Sequence, residues 1–451
     1  MALALVVAYV LFVFWLLQSG RLQKWNLSLM LGFALMVRTQ RGKGLIEAIA
    51  RPKRFWNFMG DLGTVVILLG MVGMTAIFLW SVVFALTPSN HVEPLGASEI
   101  LVIPGVNPFV PLWYGLIALI VTLVVHEGAH GVLARANDLR VKSLGLLIAV
   151  IPIGAFVEPD EDDLKATSRR KRLRVFSAGP GVNLSVALLC LIGFSAMVGA
   201  TTPAPGVHVA FTVANAPSDK AGIAPGDIFL SADGQSLPDW EAFRAFLDAH
   251  HPGDNVTLQV QHGRQDTVRA VPVTLESRWD ALSSQQKEQA VGDNATLAEE
   301  LQRQPFLGVQ PLLPENTRFL SHPFTSRIGV LSLVSLPVGE VRGQPFLSLY
   351  LPSFFDTPFE PAVYWPIATL LFWVFWINLM VGLTNILPMV PLDGGHVFRD
   401  VVGGALERLR PNMDPSRRGK VVGWAAGAMS LIILGALLLQ IVGPRLLAAF
   451  Q

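Results

Sequence analysis

The chain has 451 residues, of which 52% are hydrophobic and only 15% are charged, and its mean hydropathy is +0.49. Soluble domains carry about 25% charged residues, so the composition excludes an ordinary soluble protein and indicates a membrane protein. The formal net charge is +1, so the protein as a whole has no strong positive potential that would attract nucleic acid. We therefore do not expect nucleic acid as a partner. The single cysteine excludes an intramolecular disulfide and a multi-cysteine metal site.

Apolar segments long enough, or nearly long enough, to cross a bilayer recur along the chain, since a spanning helix needs about 20 apolar residues. Six such segments are predicted, at about 2–18, 60–86, 109–134, 174–199, 363–388 and 421–443. The first has no basic residue before it and no evident cleavage site, so we interpret it as a retained helix rather than a signal peptide. Two shorter apolar stretches, 27–37 and 144–157, are predicted to be interfacial or re-entrant.

Lys and Arg residues predict the orientation, because loops on the cytoplasmic side are enriched in them. They are concentrated in 21–54, 135–174 and 399–420, whereas 88–108 contains none. With six spans, the three basic segments lie on one side of the membrane. The pattern therefore predicts that the N-terminus and the long insert at 201–362 lie outside the cytoplasm.

The insert differs in character from the rest of the chain. It is polar, with alternating apolar residues at 207–213, 228–232 and 256–260 that predict strands, and with short predicted helices at 217–221 and 240–249. We therefore predict a small α+β domain at 201–275. Residues 276–304 look helical and 305–362 look irregular and proline-rich, so 276–362 is interpreted as an extension outside the membrane.

The third apolar segment ends in HEGAH at 126–130. Residues four apart share one face of a helix, so His126 and His130 can bind the same metal ion. Zinc suits this pattern because it lowers the pKa of a bound water to about 7, and Glu127 can then act as general base. A pair of surface histidines is the alternative, but imidazoles and a carboxylate within an apolar run are costly unless they have a function.

A catalytic zinc site takes three protein ligands and keeps one open position. The fifth apolar segment leads into NILPMVPLDGGH at 385–396, where Asp393 is the candidate third ligand. The alternatives are that Asp393 is an ordinary turn residue or that His396 reaches the metal or its surroundings. Asn385 is a candidate for binding a substrate carbonyl, whereas Asn378 is predicted to hydrogen-bond between helices.

The depth of the two motifs provides a further indication. His126 precedes the basic Arg135 by nine residues, or roughly 13 Å along a helix. The site is therefore expected inside the membrane, nearer to the cytoplasmic face. The segment at 363–388 also runs inward, so both motifs reach the same depth.

Together, the motifs at 126–130 and 385–395 resemble those of the site-2 protease family of intramembrane zinc metalloproteases, peptidase family M50. The stretch SAGPGVN at 177–183 is similar to the Gly-Pro-x-x-Asn element of that family. The resemblance implies an α-helical polytopic membrane protein that hydrolyses peptide bonds within or beside transmembrane segments of single-span membrane proteins. It implies that Zn²⁺ is held by His126, His130 and Asp393, that Glu127 activates water, and that Asn385 helps to bind substrate.

The same resemblance implies that residues around 151–158 form a membrane-embedded, sheet-like element whose edge holds an unwound substrate. Gly154, Ala155 and Phe156 are the predicted contacts at that edge. We expect an integral protein of a prokaryotic plasma membrane. The catalytic core is divided between 109–200 and 363–400, preceded by a two-span extension at 1–108 and followed by a C-terminal span at 401–451.

Within the insert, residues 215–234 resemble the helix–turn–strand signature of a PDZ domain. PDZ domains add an extended peptide to a sheet edge, so a peptide ligand is one implied partner besides the bilayer. A purely structural role for this domain is the alternative. Two other functions remain compatible with the sequence, a metal-ion transporter using the same ligands and a non-catalytic membrane adaptor.

Overall fold

The computed structural model describes residues 2–25, 27–30, 34–87, 103–149, 151–265, 267–293, 295–325, 328–341 and 344–450. The chain divides into two compact units. The membrane unit comprises Met1–Cys190 and Trp373–Gln451, and the insert unit comprises Leu191–Phe372.

Long apolar helices dominate the chain. The helices of the N-terminal part are α1 (Ala2–Gln18), α2 (Arg21–Lys24), α3 (Lys43–Ala50), α4 (Lys53–Ala85), α5 (Leu112–Ala136), α6 (Glu161–Ala166) and α7 (Arg169–Gly199). The helices of the C-terminal part are α15 (Pro361–Ile386), α16 (Asp393–Leu409) and α17 (Pro415–Phe450). Among the described residues, five helices are long and apolar enough to cross a membrane: α4, α5, α7, α15 and the Pro415–Gly443 part of α17.

These five helices correspond to five of the six predicted spans. The remaining one, α1, is apolar but only 17 residues long. Its Val13 and Leu16 are buried against Leu35, which belongs to a strand. The prediction of a largely helical membrane protein is confirmed, with five helices among the described residues that can span a membrane.

The two short apolar stretches of the membrane unit form a single antiparallel sheet. Its strands are β1 (Leu27–Met30), β2 (Ala34–Thr39), β3 (Val141–Ala149) and β4 (Ile151–Pro159), in the order β1-β2-β3-β4. These segments are too short to cross a bilayer as helices. Pairing within the sheet satisfies the hydrogen-bonding groups of their backbones instead. The order leaves β4 as an edge strand, with Val157 opposite Leu144 and Ala155 opposite Leu146.

Ion pairs hold the basic start of α7 against its neighbours. The guanidinium of Arg174 donates to both carboxylate oxygens of Asp61 on α4, at 2.7 Å each. Arg172 pairs with Asp400 on α16 at 2.8 Å. These bidentate contacts fix the position of α7, which carries part of the site described below.

The insert unit contains a second sheet, in the order β10-β9-β7-β6-β13, with β8 paired to β7. Its strands are β6 (Val207–Thr212), β7 (Asp227–Ala232), β8 (Gln235–Ser236), β9 (Asn255–His262), β10 (Val268–Thr274) and β13 (Val309–Pro311). Helix α8 spans Pro217–Lys220, and α9 spans Trp240–Asp248. The three strands predicted from alternation are therefore present, and Phe243 and Phe246 of α9 are buried against them.

Residues after 275 continue this unit. Strand β13 pairs with β6, so the sheet includes residues beyond the predicted 201–275 domain. The remaining elements are β5 (Thr202–Pro203), β11 (Glu276–Ser277), α10 (Ser284–Asp293), α11 (Ala295–Arg303), β12 (Pro305–Phe306), α12 (Pro314–Ser321), α13 (Gly329–Val341), a π-helical turn (Phe346–Tyr350), α14 (Leu351–Phe354) and β14 (Phe355–Asp356). The prediction that 305–362 is irregular is wrong, because Pro314 begins a helix, a position where proline is favoured.

Candidate metal centre

Three side chains of the membrane unit converge on one point. His126 Nε2 lies 3.1 Å from Asp393 Oδ2, and His130 Nε2 lies 3.3 Å from the same oxygen. Their ligand atoms all lie within 4.8 Å of one another, and among the described residues this is the one such group of His, Cys, Asp or Glu. Both histidines are buried, with 7% and 8% of their surface exposed. Two nitrogens and one oxygen are a donor set that suits zinc with an open fourth position.

The local sequence explains how Asp393 is placed beside His126 and His130. It is the first residue of α16, which follows the proline-interrupted stretch after α15. A Cβ on Gly395 would lie 2.6 Å from the carbonyl carbon of Met389, and a Cβ on Gly394 would collide with the Ile386 carbonyl oxygen. Only glycines therefore allow the backbone after Asp393 to pack this closely on the end of α15.

Gly179 on α7 leaves the space that a metal requires. A Cβ at this position would lie 2.5 Å from Nε2 of both His126 and His130. Zinc–nitrogen bonds are about 2.0–2.1 Å long, so the missing methyl group and a metal ion would compete for the same volume. The residues present therefore fit the metal.

The outer nitrogens of both imidazoles are held by α7. His130 Nδ1 lies 2.7 Å from the Val175 carbonyl oxygen, which can only accept, so Nδ1 carries the proton. This tautomer leaves the lone pair of Nε2 for a metal. Hydrogen bonds of this kind set the orientation and basicity of metal-binding histidines.

Asn183, from the Gly-Pro-x-x-Asn element, contacts the other histidine. Its side-chain nitrogen lies 2.9 Å from His126 Nδ1, it is fully buried, and its Oδ1 has no partner among the described residues. Amide nitrogen and oxygen are assigned by their surroundings rather than observed. With the amide turned over, Oδ1 accepts the proton of His126 Nδ1 and leaves Nε2 for the metal. The Gly-Pro-x-x-Asn motif is recognisable in the sequence, but no role for Asn183 was predicted from it.

Glu127 is tied to the edge of the sheet. Its Oε2 accepts a hydrogen bond of 2.9 Å from the backbone N–H of Val157 in β4. This N–H points away from β3, towards the edge of β4 that no described strand covers. Since the backbone groups of successive residues in a strand point to opposite edges, those of Ala155 point to the same edge as those of Val157. Those of Gly154 and Phe156 point towards β3. Of the three predicted substrate contacts, Ala155 is thus the one whose backbone faces outward.

The other candidate residues lie elsewhere. His396 is not part of the three-residue cluster, and its ring stacks on Phe176 with centroids 4.8 Å apart. Asn385 donates to the Val381 carbonyl oxygen of its own helix at 3.1 Å. Asn378 likewise donates to Val374 at 2.8 Å, so its predicted bond between helices is not present among the described residues.

The acidic run after β4 is a capped surface turn rather than a second metal site. Asp160 accepts hydrogen bonds from the backbone of Asp162 and Asp163 at the start of α6. The Arg140 guanidinium binds Asp163 through two hydrogen bonds of 2.8 Å and lowers the pKa of that carboxyl to about 2.

Helices that can cross a membrane and a cluster of two histidines and an aspartate that could hold a metal ion are the features expected of a membrane metalloprotease. The chain belongs to peptidase family M50, since the model of that family matches residues 114–434. The predicted enzyme class and Zn²⁺ cofactor are confirmed by this match and by the names of several relatives.

Three relatives show what this chain is similar to. An uncharacterized protein of Methanocaldococcus jannaschii is 23% identical over 399 residues, covering 87% of this chain and 84% of that protein. A provisionally named zinc metalloprotease of Clostridium perfringens is 25% identical over 316 residues, covering 64% of this chain and 87% of that protein. A membrane-bound transcription factor site-2 protease homolog of Arabidopsis thaliana is 26% identical over 176 residues, covering 38% of this chain and 31% of that protein.

Proposed function

We propose that this metalloprotease hydrolyses peptide bonds within or beside the transmembrane segments of single-span membrane proteins, as a step of regulated intramembrane proteolysis. The observation that carries the proposal is the hydrogen bond between Glu127 and Val157. It links the candidate general base to the edge strand of a sheet, two residues from Ala155, where an extended substrate backbone would pair.

In this proposal His126, His130 and Asp393 hold the metal. When bound, zinc lowers the pKa of its water to about 7 and polarises the scissile carbonyl. Val175 and Asn183 keep the Nε2 atoms of the two histidines directed inward. Because these holding groups all lie on α7, that helix aligns both imidazoles at once.

Glu127 takes the proton from the attacking water and passes it to the leaving amine. Oε2 accepts the hydrogen bond from Val157, and the carboxylate keeps further lone pairs for proton transfer. The bond also fixes the carboxylate relative to β4, and therefore relative to any substrate paired with that strand.

The substrate is bound in an extended conformation along β4. A helical transmembrane segment has its carbonyls already hydrogen-bonded, so hydrolysis requires local unwinding, and pairing with a sheet edge compensates for the lost helical bonds. The outward backbone groups of Ala155 make this pairing in our proposal. Gly154 and Phe156 flank Ala155 on β4. Asn385 binds a substrate carbonyl.

We further propose that the insert unit lies outside the cytoplasm and that the site lies nearer the cytoplasmic face of a prokaryotic plasma membrane. The distribution of Lys and Arg and the archaeal and bacterial relatives support this arrangement. The insert is proposed to act as a PDZ-like domain. Strand β13 pairs only with β6 among the described residues, and its other edge is the place for an extended peptide.

The decisive experiment is Glu127→Gln in full-length protein reconstituted into vesicles with a single-span test substrate. Cleavage should fall about 100- to 10,000-fold, which is the range that general acid–base catalysis contributes, while zinc stays bound at the wild-type ratio. Glu158→Gln is the matched control, because Glu158 lies on β4 beside Val157 and its carboxylate accepts a hydrogen bond from Ser143 instead. Retained proteolysis in Glu127→Gln would refute the assigned mechanism.

The substrate class is tested by trapping. The Glu127→Gln protein, expressed in its host and cross-linked, should retain single-span membrane proteins. Capture of soluble proteins alone would contradict the intramembrane substrate class. Zinc transport by vesicles containing Glu127→Gln, without any cleavage by the wild type, would favour a transporter instead.

A further inference from the structure

The insert unit contains a cavity with charged residues in its wall, at the end of a span-length helix. Its volume is about 570 Å³, and its wall includes Gly199, Thr201, Arg318, Ser321 and Phe355. Gly199 is the last residue of α7, one of the helices apolar enough to cross a membrane. The cavity therefore lies where that helix leaves its apolar stretch, which in a bilayer is the level of the lipid headgroups.

Charged side chains of both signs line this cavity. Glu315 and Arg318 line it from successive turns of α12, and His322 follows directly after that helix. Neither the Glu315 carboxylate nor the Arg318 guanidinium makes an ion pair or a hydrogen bond with any residue that the structure describes. His322 uses Nδ1 for a 2.8 Å contact with the Ser321 hydroxyl, which leaves Nε2 for another group.

An apolar surface follows the cavity in the chain. Phe324, Ile328 and Leu331 are 64%, 64% and 66% exposed, which is unfavourable in water but suits acyl chains. The backbone at Gly329 packs directly on the carbonyl oxygen of Pro323, where a Cβ would collide. The start of α13 is thereby held against the turn that follows His322.

We propose that this cavity binds the headgroup of a phospholipid that carries an amine, such as phosphatidylethanolamine. Arg318 and His322 bind the phosphate, and Glu315 binds the ammonium group. The acyl chains lie along the surface formed by Phe324, Ile328 and Leu331. The mixed charges favour a zwitterionic headgroup over a purely anionic one, because an anionic lipid would face Glu315 without a counter-charge.

The test uses the full-length protein in nanodiscs that contain equal amounts of phosphatidylethanolamine and phosphatidylglycerol. Lipids that remain bound after extraction are counted by native mass spectrometry. The wild type should retain phosphatidylethanolamine preferentially, and Arg318→Gln should retain about fivefold less, since one basic residue near a lipid surface contributes about that factor. Glu315→Gln should shift the preference towards phosphatidylglycerol.

Arg303→Gln is the matched control, because Arg303 ends α11 and does not line the cavity. It should bind lipid as the wild type does, and thermal unfolding should show that all variants are folded. Equal retention of both lipids by the wild type, or equal retention by Arg318→Gln and Arg303→Gln, would overturn the proposal. Release of the bound lipid by millimolar inorganic phosphate would also overturn it, because the cavity would then be a site for a soluble anion.

Discussion

Gly179→Ala tests the position of the metal most directly. The new Cβ would lie 2.5 Å from Nε2 of both His126 and His130, whereas ordinary van der Waals contacts begin at 3.4 Å. Each ring would have to move by about 1 Å. Zinc sites tolerate deviations of only about 0.2 Å in their bond lengths, so both nitrogens would leave bonding distance together.

The expected loss of zinc affinity is at least about 100-fold, or about 2.7 kcal/mol. Disturbing only an outer hydrogen bond of a metal ligand costs about 10- to 100-fold, and here both imidazoles are displaced. The assay is competition with a chelator of known affinity on protein purified in detergent, with bound zinc quantified by mass spectrometry. Thermal unfolding of the metal-free proteins checks that the variant folds.

Two matched variants separate this effect from a general loss of packing. Gly128→Ala adds a methyl group between the two histidines in sequence, where a Cβ would meet nothing within 4 Å. Gly181→Ala adds one on α7, where the nearest atom would be 3.7 Å away. Both should bind zinc as the wild type does. Zinc binding by Gly179→Ala within threefold of the wild type would refute the placement of the metal between the imidazoles.

Three further predictions concern other contacts, two at the metal centre and one in the insert unit. Asn183→Leu should weaken zinc binding about 10- to 100-fold because His126 Nδ1 loses its partner, and Asn183→Asp, which keeps an acceptor, should restore most of it in the same chelator assay. Val157→Pro should lower kcat about tenfold with zinc content unchanged, because it removes the N–H that orients Glu127 but no ladder hydrogen bond. In the insert unit, burial lowers the pKa of His208 below its ordinary value of 6.5, so the folded state favours the neutral imidazole. The resulting stabilisation of the folded state is complete above pH 6.5 and is lost as the pH falls. His208→Phe should therefore reduce the fall in thermal stability between pH 7 and pH 5.

Each of these predictions has a contrary result. Equal zinc affinity for Asn183→Leu and Asn183→Asp would show that the amide does not orient His126. Loss of zinc from Val157→Pro would mean that β4 supports the metal site as a whole rather than the base alone. An unchanged pH dependence in His208→Phe would assign the acid sensitivity of the insert unit to other groups.

Much of the helical framework was predictable because its signals are local. Runs of about 20 apolar residues define spanning helices wherever they occur, and the four-residue spacing of His126 and His130 places both on one helical face regardless of the fold. The alternating residues of β6, β7 and β9 are equally local. The motif ending in Asp393 was identifiable as well, but its sequence left His396 as a rival.

Only the tertiary structure decided between these two residues, because their distances to His126 depend on how α15 and α16 pack. It brings Asp393 to the histidines and stacks His396 on Phe176. The pairing of β2 with β3, which joins segments about 100 residues apart, is likewise invisible to any local pattern.

The same holds for the hydrogen bonds around the candidate metal centre. Val157 reaches Glu127 across 30 residues, and Asn183 reaches His126 across 57. By itself, the sequence determined the candidate site residues and the helices on which they lie. The structure decided which atoms orient them, because that depends on how separate helices and a sheet edge pack together.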